Sequence, residues 1–270
     1  GKRGVMSIQK IRTIISKEWS EVFKNRLVLF TVAFLPLIFL ALPIITLVIT
    51  QGFAGEATSA MNSQDMEFFG ELCMGLEEMD CASLYMLNLY TLMFMMIPVI
   101  VPVTIAAYSI VGEKTSRSLE PLLATPISTT ELLLGKILAA CIPAVLITWI
   151  AFLLYVLSAW LLVSAEVFAL AMDPMWLIAI FVVGPLMSLM AVSVAVMVSS
   201  RVTDPRAAEQ LAAFVILPII LLILGQSMGW LIVDARLVLV LGLLVLLADV
   251  VLVYLSVKSF QRETILTKWK

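Results

Sequence analysis

Six long apolar runs divide this chain into strongly hydrophobic and polar stretches. Every run except the fifth has the length of about 20 residues that a helix needs to cross the hydrocarbon core of a bilayer. The fifth run reaches that length with segments 207–213 and 226–233, unless runs five and six form one broken hairpin. The pattern predicts an all-α integral membrane protein with six transmembrane helices, which lie at roughly Leu27–Thr50, Leu84–Val111, Ile137–Val163, Trp176–Ser199, Leu211–Leu224 and Leu237–Val257.

The composition and the charges agree with this interpretation. The chain is 62% hydrophobic and 13% charged, which is far more apolar than a water-soluble domain of this length. Loops that carry Lys and Arg stay on the cytoplasmic side of a membrane. With both ends inside, 16 of the 17 Lys and Arg residues are cytoplasmic, and only Arg236 lies outside. We therefore expect an N-in/C-in topology.

The segment before the first run has helical periodicity. Residues 7–26 place apolar side chains at three- and four-residue steps, and charged residues elsewhere around the turn. This predicts an amphipathic helix along the inner membrane surface. The alternative is a stop-transfer flank that happens to be helical. The apolar positions are Ile8, Ile11, Ile15, Trp19 and Val22.

The first outer loop, 51–83, is acidic and contains Cys73 and Cys81. On one continuous helix the two cysteines would be about 12 Å apart, too far for a disulfide. A break near Gly75 would allow the bond. We leave open an intrachain disulfide, free thiols and intermolecular thiols.

The inner loop 112–136 combines a helix start with an apolar cluster. Ser128 and Glu131 have the spacing of a capping box, so a helix is expected to begin there and continue into the third run. Leu119, Leu122 and Leu123 are apolar although their segment faces water. Such a cluster either docks into another protein or folds back onto the membrane surface.

The second inner loop, 200–210, is short and polar. Asp204 precedes Pro205 and is expected to cap the helix that the proline begins. This loop is either a plain capped turn or, with Asp204 and Arg206, a second cytoplasmic contact.

Several kinds of chemistry are absent from the sequence. The chain has no histidine, so it has no Ser-His or Cys-His nucleophile pair and no His-ligated metal. It also lacks a phosphate-binding loop of the Walker type. We expect no catalytic residues, no metal site and no ATP bound by this chain alone.

One carboxylate stands within a run. Asp249 is about twelve residues into the sixth run, where a charge is costly and often functional. It either takes part in transport, or it is a structural residue that lies in a polar cavity, stays protonated or bonds to Ser and Thr on neighbouring helices.

The inner loop carries a motif that resembles the type-2 ATP-binding-cassette exporter permeases. In that family a pattern of Glu-Lys/Arg, Leu-Glu, Leu-Leu and Pro follows the second helix, and a Gly-Lys pair opens the third. Thr115 and Arg117 depart from the commonest residues of the motif. The matching positions are Glu113, Lys114, Arg117, Ser118, Leu119, Glu120, Leu122, Leu123, Pro126, Ser128, Gly135 and Lys136.

The resemblance implies a function and an assembly. The chain would be a single transmembrane permease domain, with an elbow helix at 1–26, six spans within 27–257 and a cytoplasmic tail at 258–270. Leu119–Pro126 would form a coupling helix that sits in a groove of a separate ATPase subunit. Two permeases, expected to be a homodimer, would assemble with two ATPases that bind ATP and Mg, in the cell (inner or plasma) membrane.

The resemblance also implies the residues that couple the permease to the ATPase. They are Glu113, Arg117, Leu119, Glu120, Leu122, Leu123 and Pro126. The competing hypotheses are a stand-alone secondary carrier or channel, and an ATPase-coupled protein that transmits force without transport. A secondary carrier would be expected to have several charges within its helices or an internal repeat.

Overall fold

The computed structural model describes residues 8–52, 76–115, 127–231 and 233–259. All regular elements within these ranges are helices. Six segments are long and apolar enough to cross a membrane, and we number them spans 1 to 6. The predicted all-α architecture with six membrane helices is confirmed. The spans are Val28–Ile49, Met79–Thr115, Thr129–Leu162, Pro174–Ser199, Pro205–Ser227 and Ala235–Lys258.

Three of the spans are interrupted. They follow helix α1 and the helix of span 1 in the chain. Span 2 consists of two helices separated by a turn at Met95 and Met96, span 4 contains a π-helical turn, and span 5 contains a 3₁₀ turn. In chain order the helices are Ile8–Val22 (α1), Arg26–Gly52, Glu78–Phe94, Ile97–Thr115, Thr129–Leu162, Ala165–Ala171, Pro174–Ile178, Ala179–Val183 (π), Gly184–Ser199, Pro205–Ala212, Ala213–Ile216 (3₁₀), Leu217–Ser227 and Ala235–Ser259.

Local sequence signals set several helix ends. The Ser128–Glu131 capping box forms as predicted, with the Glu131 N–H donating to Ser128 Oγ and the Ser128 N–H donating to Glu131 Oε2. Asp204 caps the helix that begins at Pro205, as predicted. Span 5 is a full-length span from Pro205 to Ser227, and Gly229, two residues after its end, has a φ of 69° that suits glycine.

The loop between spans 1 and 2 ends earlier than the sequence suggested. We expected it to continue to Ser83, but a helix begins at Glu78 and leads directly into span 2. The helix extends beyond the apolar run because Cys81, Ala82 and Ser83 are buried against the rest of the bundle. Burial of these side chains stabilises an additional turn or more that apolar length alone does not predict.

Span 2 lies at the centre of the bundle, and the outer spans present apolar faces. Phe94 of span 2 packs on Tyr155 of span 3, with ring centroids 4.8 Å apart. By contrast, Leu37, Leu221 and Val250 of spans 1, 5 and 6 are exposed. Large exposed apolar side chains around a helical bundle are what a lipid environment requires.

A neighbouring helix replaces a hydrogen bond that a proline removes from span 2. Pro102 has no N–H, so the carbonyl of Pro98 lacks its usual partner one turn away. The hydroxyl of Ser188 in span 4 donates to that carbonyl at 2.7 Å. This bond connects spans 2 and 4 and satisfies a backbone group that could not find water inside a bilayer.

Candidate functional site

Helix α1 packs closely against the beginning of span 3. Ile14 is buried beside Gly135, and a Cβ atom placed on Gly135 would come within 2.7 Å of the Ile14 Cγ2 atom. Atoms in contact do not approach that closely, so a side chain at position 135 would push α1 away. Gly135 therefore allows the close packing between α1 and span 3.

The next residue, Lys136, joins three helices by ion pairs. Its ammonium lies 2.7 Å from Glu18 Oε1 of α1 and 2.7 Å from Glu113 Oε2 of span 2. The three side chains are nearly inaccessible, with exposed fractions of 2% for Lys136, 3% for Glu18 and 5% for Glu113. Removing one partner from a buried ion pair leaves an uncompensated charge, which is strongly destabilising.

A serine completes the polar contacts of Glu18. The hydroxyl of Ser109, in span 2, donates to Glu18 Oε2. The Ser109 hydroxyl oxygen in turn accepts a hydrogen bond of 3.0 Å from Lys136 Nζ. Both carboxylate oxygens of Glu18 therefore accept hydrogen bonds, and the Lys136 ammonium donates to Glu18 and to Ser109. These bonds hold the buried charges in one geometry.

Lys17 closes this ion-pair cluster on its more accessible side. Its ammonium lies 2.7 Å from Glu113 Oε1 and 3.6 Å from Glu21 Oε1. Burial by itself would lower the pKa of Lys17, but the hydrogen bond to Glu113 and the nearby carboxylates outweigh burial and raise that pKa. Lys17 therefore stays charged, and with Lys136 it balances the charges of Glu18 and Glu113.

Trp19 connects α1 to a backbone carbonyl in span 3 that a proline leaves without its helical hydrogen bond. Its indole N–H donates to the Ala139 carbonyl at 2.9 Å. Pro143, one turn later, cannot supply the N–H that would normally bond this carbonyl. We call the whole contact the α1 docking site. It comprises Ile14, Lys17, Glu18 and Trp19 of α1, Ser109 and Glu113 of span 2, and Gly135, Lys136 and Ala139 of span 3.

Lys114 turns away from this site and contacts the loop between spans 4 and 5. Its ammonium lies 3.3 Å from the Ser200 carbonyl and 3.1 Å from the Val202 carbonyl, at the end of span 4. A cation at a helix C-terminus is favourable, because the final carbonyls lack intrahelical partners. Consecutive residues of span 2 thus hold α1 on one side and the 4–5 loop on the other.

The predicted coupling residues fall into two groups. Glu113 is in the α1 docking site, although the sequence indicated only a contact with another protein. The remaining predicted coupling positions lie outside the described residues. They are Arg117, Leu119, Glu120, Leu122, Leu123 and Pro126.

The other predicted residues occupy separate places. Asp204 and Arg206 are exposed where the 4–5 loop meets the start of span 5, and Asp204 Oδ1 accepts a bond of 3.0 Å from the Arg206 N–H. Asp249 is buried in span 6, and neither carboxylate oxygen has a hydrogen-bond partner among the described residues. Cys81 takes part in a disulfide, whereas Cys73 lies outside the described residues.

Sequence reasoning missed the partners that α1 finds. It placed Lys17 and Glu18 on a polar face, but Glu18 is buried against Ser109 and Lys136. The motif drew attention to Lys136 without indicating what it binds. The only available signal was that a Gly-Lys pair at the start of a membrane helix offers both a close approach and a charge.

We compared the sequence with models of known protein families and found a match. Residues 12–239 match the model described as ABC-2 family transporter protein. A search of curated proteins finds no match. The family match begins within α1 and covers the α1 docking site and the first five spans. The chain belongs to the ABC-2 transporter family.

Proposed function

We propose that this chain is the permease subunit of an ATP-driven exporter and that a separate ATPase drives it through residues 116–126. Its family and its six apolar helices make it a membrane transport component. In this proposal two identical permeases form the substrate path. Two ATPase subunits, which bind ATP and Mg, dock on the cytoplasmic side of the cell membrane.

The observation that carries the proposal is the ion pairing between the two helices that flank residues 116–126 in the chain. Glu113 lies just before this segment, and Lys136 follows it in span 3. Both side chains meet at α1, where Lys136 also pairs with Glu18. A push on residues 116–126 would therefore reach spans 2 and 3 and α1 together, as one unit.

The 4–5 loop extends the same unit. Lys114 holds this loop through the Ser200 and Val202 carbonyls. The hydroxyl of Thr104 in span 2 also donates to Glu209 near the start of span 5. A second contact of the ATPase with exposed Asp204 and Arg206 would act on helices already connected to span 2.

The proposal also assigns a role and an orientation to α1. As the elbow helix it would lie at the cytoplasmic surface, with the N- and C-termini inside. Rigid-body movement of packed helices is a common way to convert nucleotide-driven closure into a change of access. The buried ion pairs suit this role because they fix α1 in one position on spans 2 and 3.

The test is a charge introduced into the proposed coupling helix. Leu122→Asp in the full chain should insert normally but abolish the ATP hydrolysis that depends on this chain in native membrane vesicles. Leu122→Met, which keeps the apolar character, is the matched control and should retain that activity. Wild-type ATP hydrolysis by correctly inserted Leu122→Asp would contradict the coupling role.

A further inference from the structure

An apolar cavity lies among spans 2, 4, 5 and 6. Its volume is about 270 Å³, and all of its lining residues are apolar. Spans 2, 4, 5 and 6 contribute, for example, Met95, Met187, Ile219 and Val245, and Trp176 of span 4 also lines the cavity. A cavity without polar groups does not hold water well, because water needs partners for its hydrogen bonds.

The cavity reaches the outer face of the bundle between spans 5 and 6. Pro218 of span 5 and Leu244 of span 6 both line it and are exposed, with an exposed fraction of 56% for Leu244. Span 6 packs on span 4 and the second half of span 5 packs on span 2, but within the described residues these two helices make no extended contact with each other. The gap between them is a lateral opening.

An irregular turn in span 4 forms part of the cavity wall. The Ala179–Val183 segment of span 4 is π-helical, and the Gly184 N–H donates to the Ala179 carbonyl five residues earlier. Such a turn inserts one extra residue into a helix and is frequent at functional sites. Ala179 and Val183 both line the cavity, so the widened turn forms part of its surface.

We propose that this cavity binds one hydrocarbon chain of a membrane lipid, which enters from the bilayer between spans 5 and 6. The opening lies on a helical face that is apolar, so the surrounding bilayer supplies hydrocarbon chains to it directly. The volume of about 270 Å³ is just below the range for small-molecule sites, about 300–1,000 Å³, which suits one chain rather than a whole lipid. The headgroup stays outside, because the lining offers no polar partner for it.

The experiment uses tryptophan quenching by brominated lipid chains. The full chain is reconstituted in vesicles of phosphatidylcholine with and without bromine on the acyl chains. The contribution of Trp176 is obtained by difference with Trp176→Phe. Trp160, which has an exposed fraction of 61% on the lipid-facing side of span 3, provides the positive control through Trp160→Phe.

The proposal predicts that brominated chains quench Trp176 although this residue is buried within the protein. Ala179→Leu fills the cavity and should remove most of the quenching of Trp176 but leave that of Trp160 unchanged. Ala248→Leu, which fills the cavity from span 6, is a second variant in case the first does not fold. The measurement needs neither ATP nor a partner, so its outcome is independent of the proposed exporter function.

Two results would overturn the proposal. Trp176 could remain unquenched while Trp160 is quenched, which would mean that lipid chains do not enter or that a second copy of this chain covers the opening. Alternatively, quenching of Trp176 could persist unchanged in folded Ala179→Leu and Ala248→Leu, which would place the quencher outside the cavity.

Discussion

The indole nitrogen of Trp19 lies 2.9 Å from the carbonyl oxygen of Ala139, and this bond joins α1 to the first half of span 3. The proline at position 143 leaves this carbonyl without its intrahelical partner. The helix irregularity and the docking of α1 are therefore two parts of one arrangement.

This arrangement predicts that Trp19 and Pro143 are energetically coupled. Trp19→Phe should lower the apparent Tm in detergent, because the Ala139 carbonyl is left unsatisfied at a cost of about 1–3 kcal/mol. In a Pro143→Ala background residue 143 regains an N–H for that carbonyl, so the same Trp19→Phe change should cost less. Equal losses in both backgrounds would mean that the indole contributes by packing alone.

The buried ion pairs predict a large effect at Lys136. Lys136→Met leaves Glu18 and Glu113 buried without this partner, at a cost of about 3–5 kcal/mol. Lys136→Met with Glu18→Gln should recover part of the lost stability, because Glu113 still has Lys17.

The control for Lys136 is Lys10, an accessible lysine that also forms an ion pair between α1 and span 3. Lys10 has an exposed fraction of 40% and lies 3.7 Å from Glu131 Oε2, so Lys10→Met should cost about 0–1 kcal/mol. Thermal unfolding followed by size-exclusion chromatography in detergent measures all three variants. A loss for Lys136→Met as small as that for Lys10→Met would contradict the buried ion-pair cluster.

The close packing at Gly135 predicts opposite effects of one substitution at two glycines. Gly135→Ala forces the new Cβ against Ile14 and should cost about 1–3 kcal/mol. Gly112→Ala meets no atom within 4 Å and should be neutral or stabilising, since alanine favours helix more than glycine does. The apparent Tm of the two variants, measured under the same conditions, tests this difference. A stable Gly135→Ala would show that α1 has room to shift.

Asp249 offers a test of the carboxylate in span 6. Its oxygens have no hydrogen-bond partner among the described residues, so Asp249→Asn should leave the apparent Tm unchanged or raise it. Loss of transport-linked ATP hydrolysis in that stable variant would identify a functional group within the membrane. A marked fall in Tm would instead reveal a structural partner for Asp249.

Local signals predicted much of the fold, and they did so for identifiable reasons. Apolar length gave the six spans, and the Ser128–Glu131 and Asp204 caps formed as expected because such caps depend on neighbouring residues only. The π-helical turn at Ala179–Val183 and the early start of span 2 at Glu78 depend on packing against other helices. No local pattern encodes those contacts.

The α1 docking site was predicted only in part. The sequence indicated an amphipathic helix and singled out Gly135 and Lys136, but periodicity gives the faces of a helix and not their partners. Glu18 and Lys136 are 118 residues apart in the chain, and either could equally have faced water. Likewise, Pro143 indicates that the Ala139 carbonyl lacks its helical partner, but the sequence does not indicate that Trp19 donates to it.

The central claim is that a separate ATPase drives this chain. The most direct measurement is purification of the tagged chain from native membranes in a mild detergent, followed by mass spectrometry of the proteins that co-purify. We predict a stoichiometric partner with a phosphate-loop ATPase domain, retained by Leu122→Met and released by Leu122→Asp. A chain that purifies alone from several mild detergents would contradict it and would favour a stand-alone carrier.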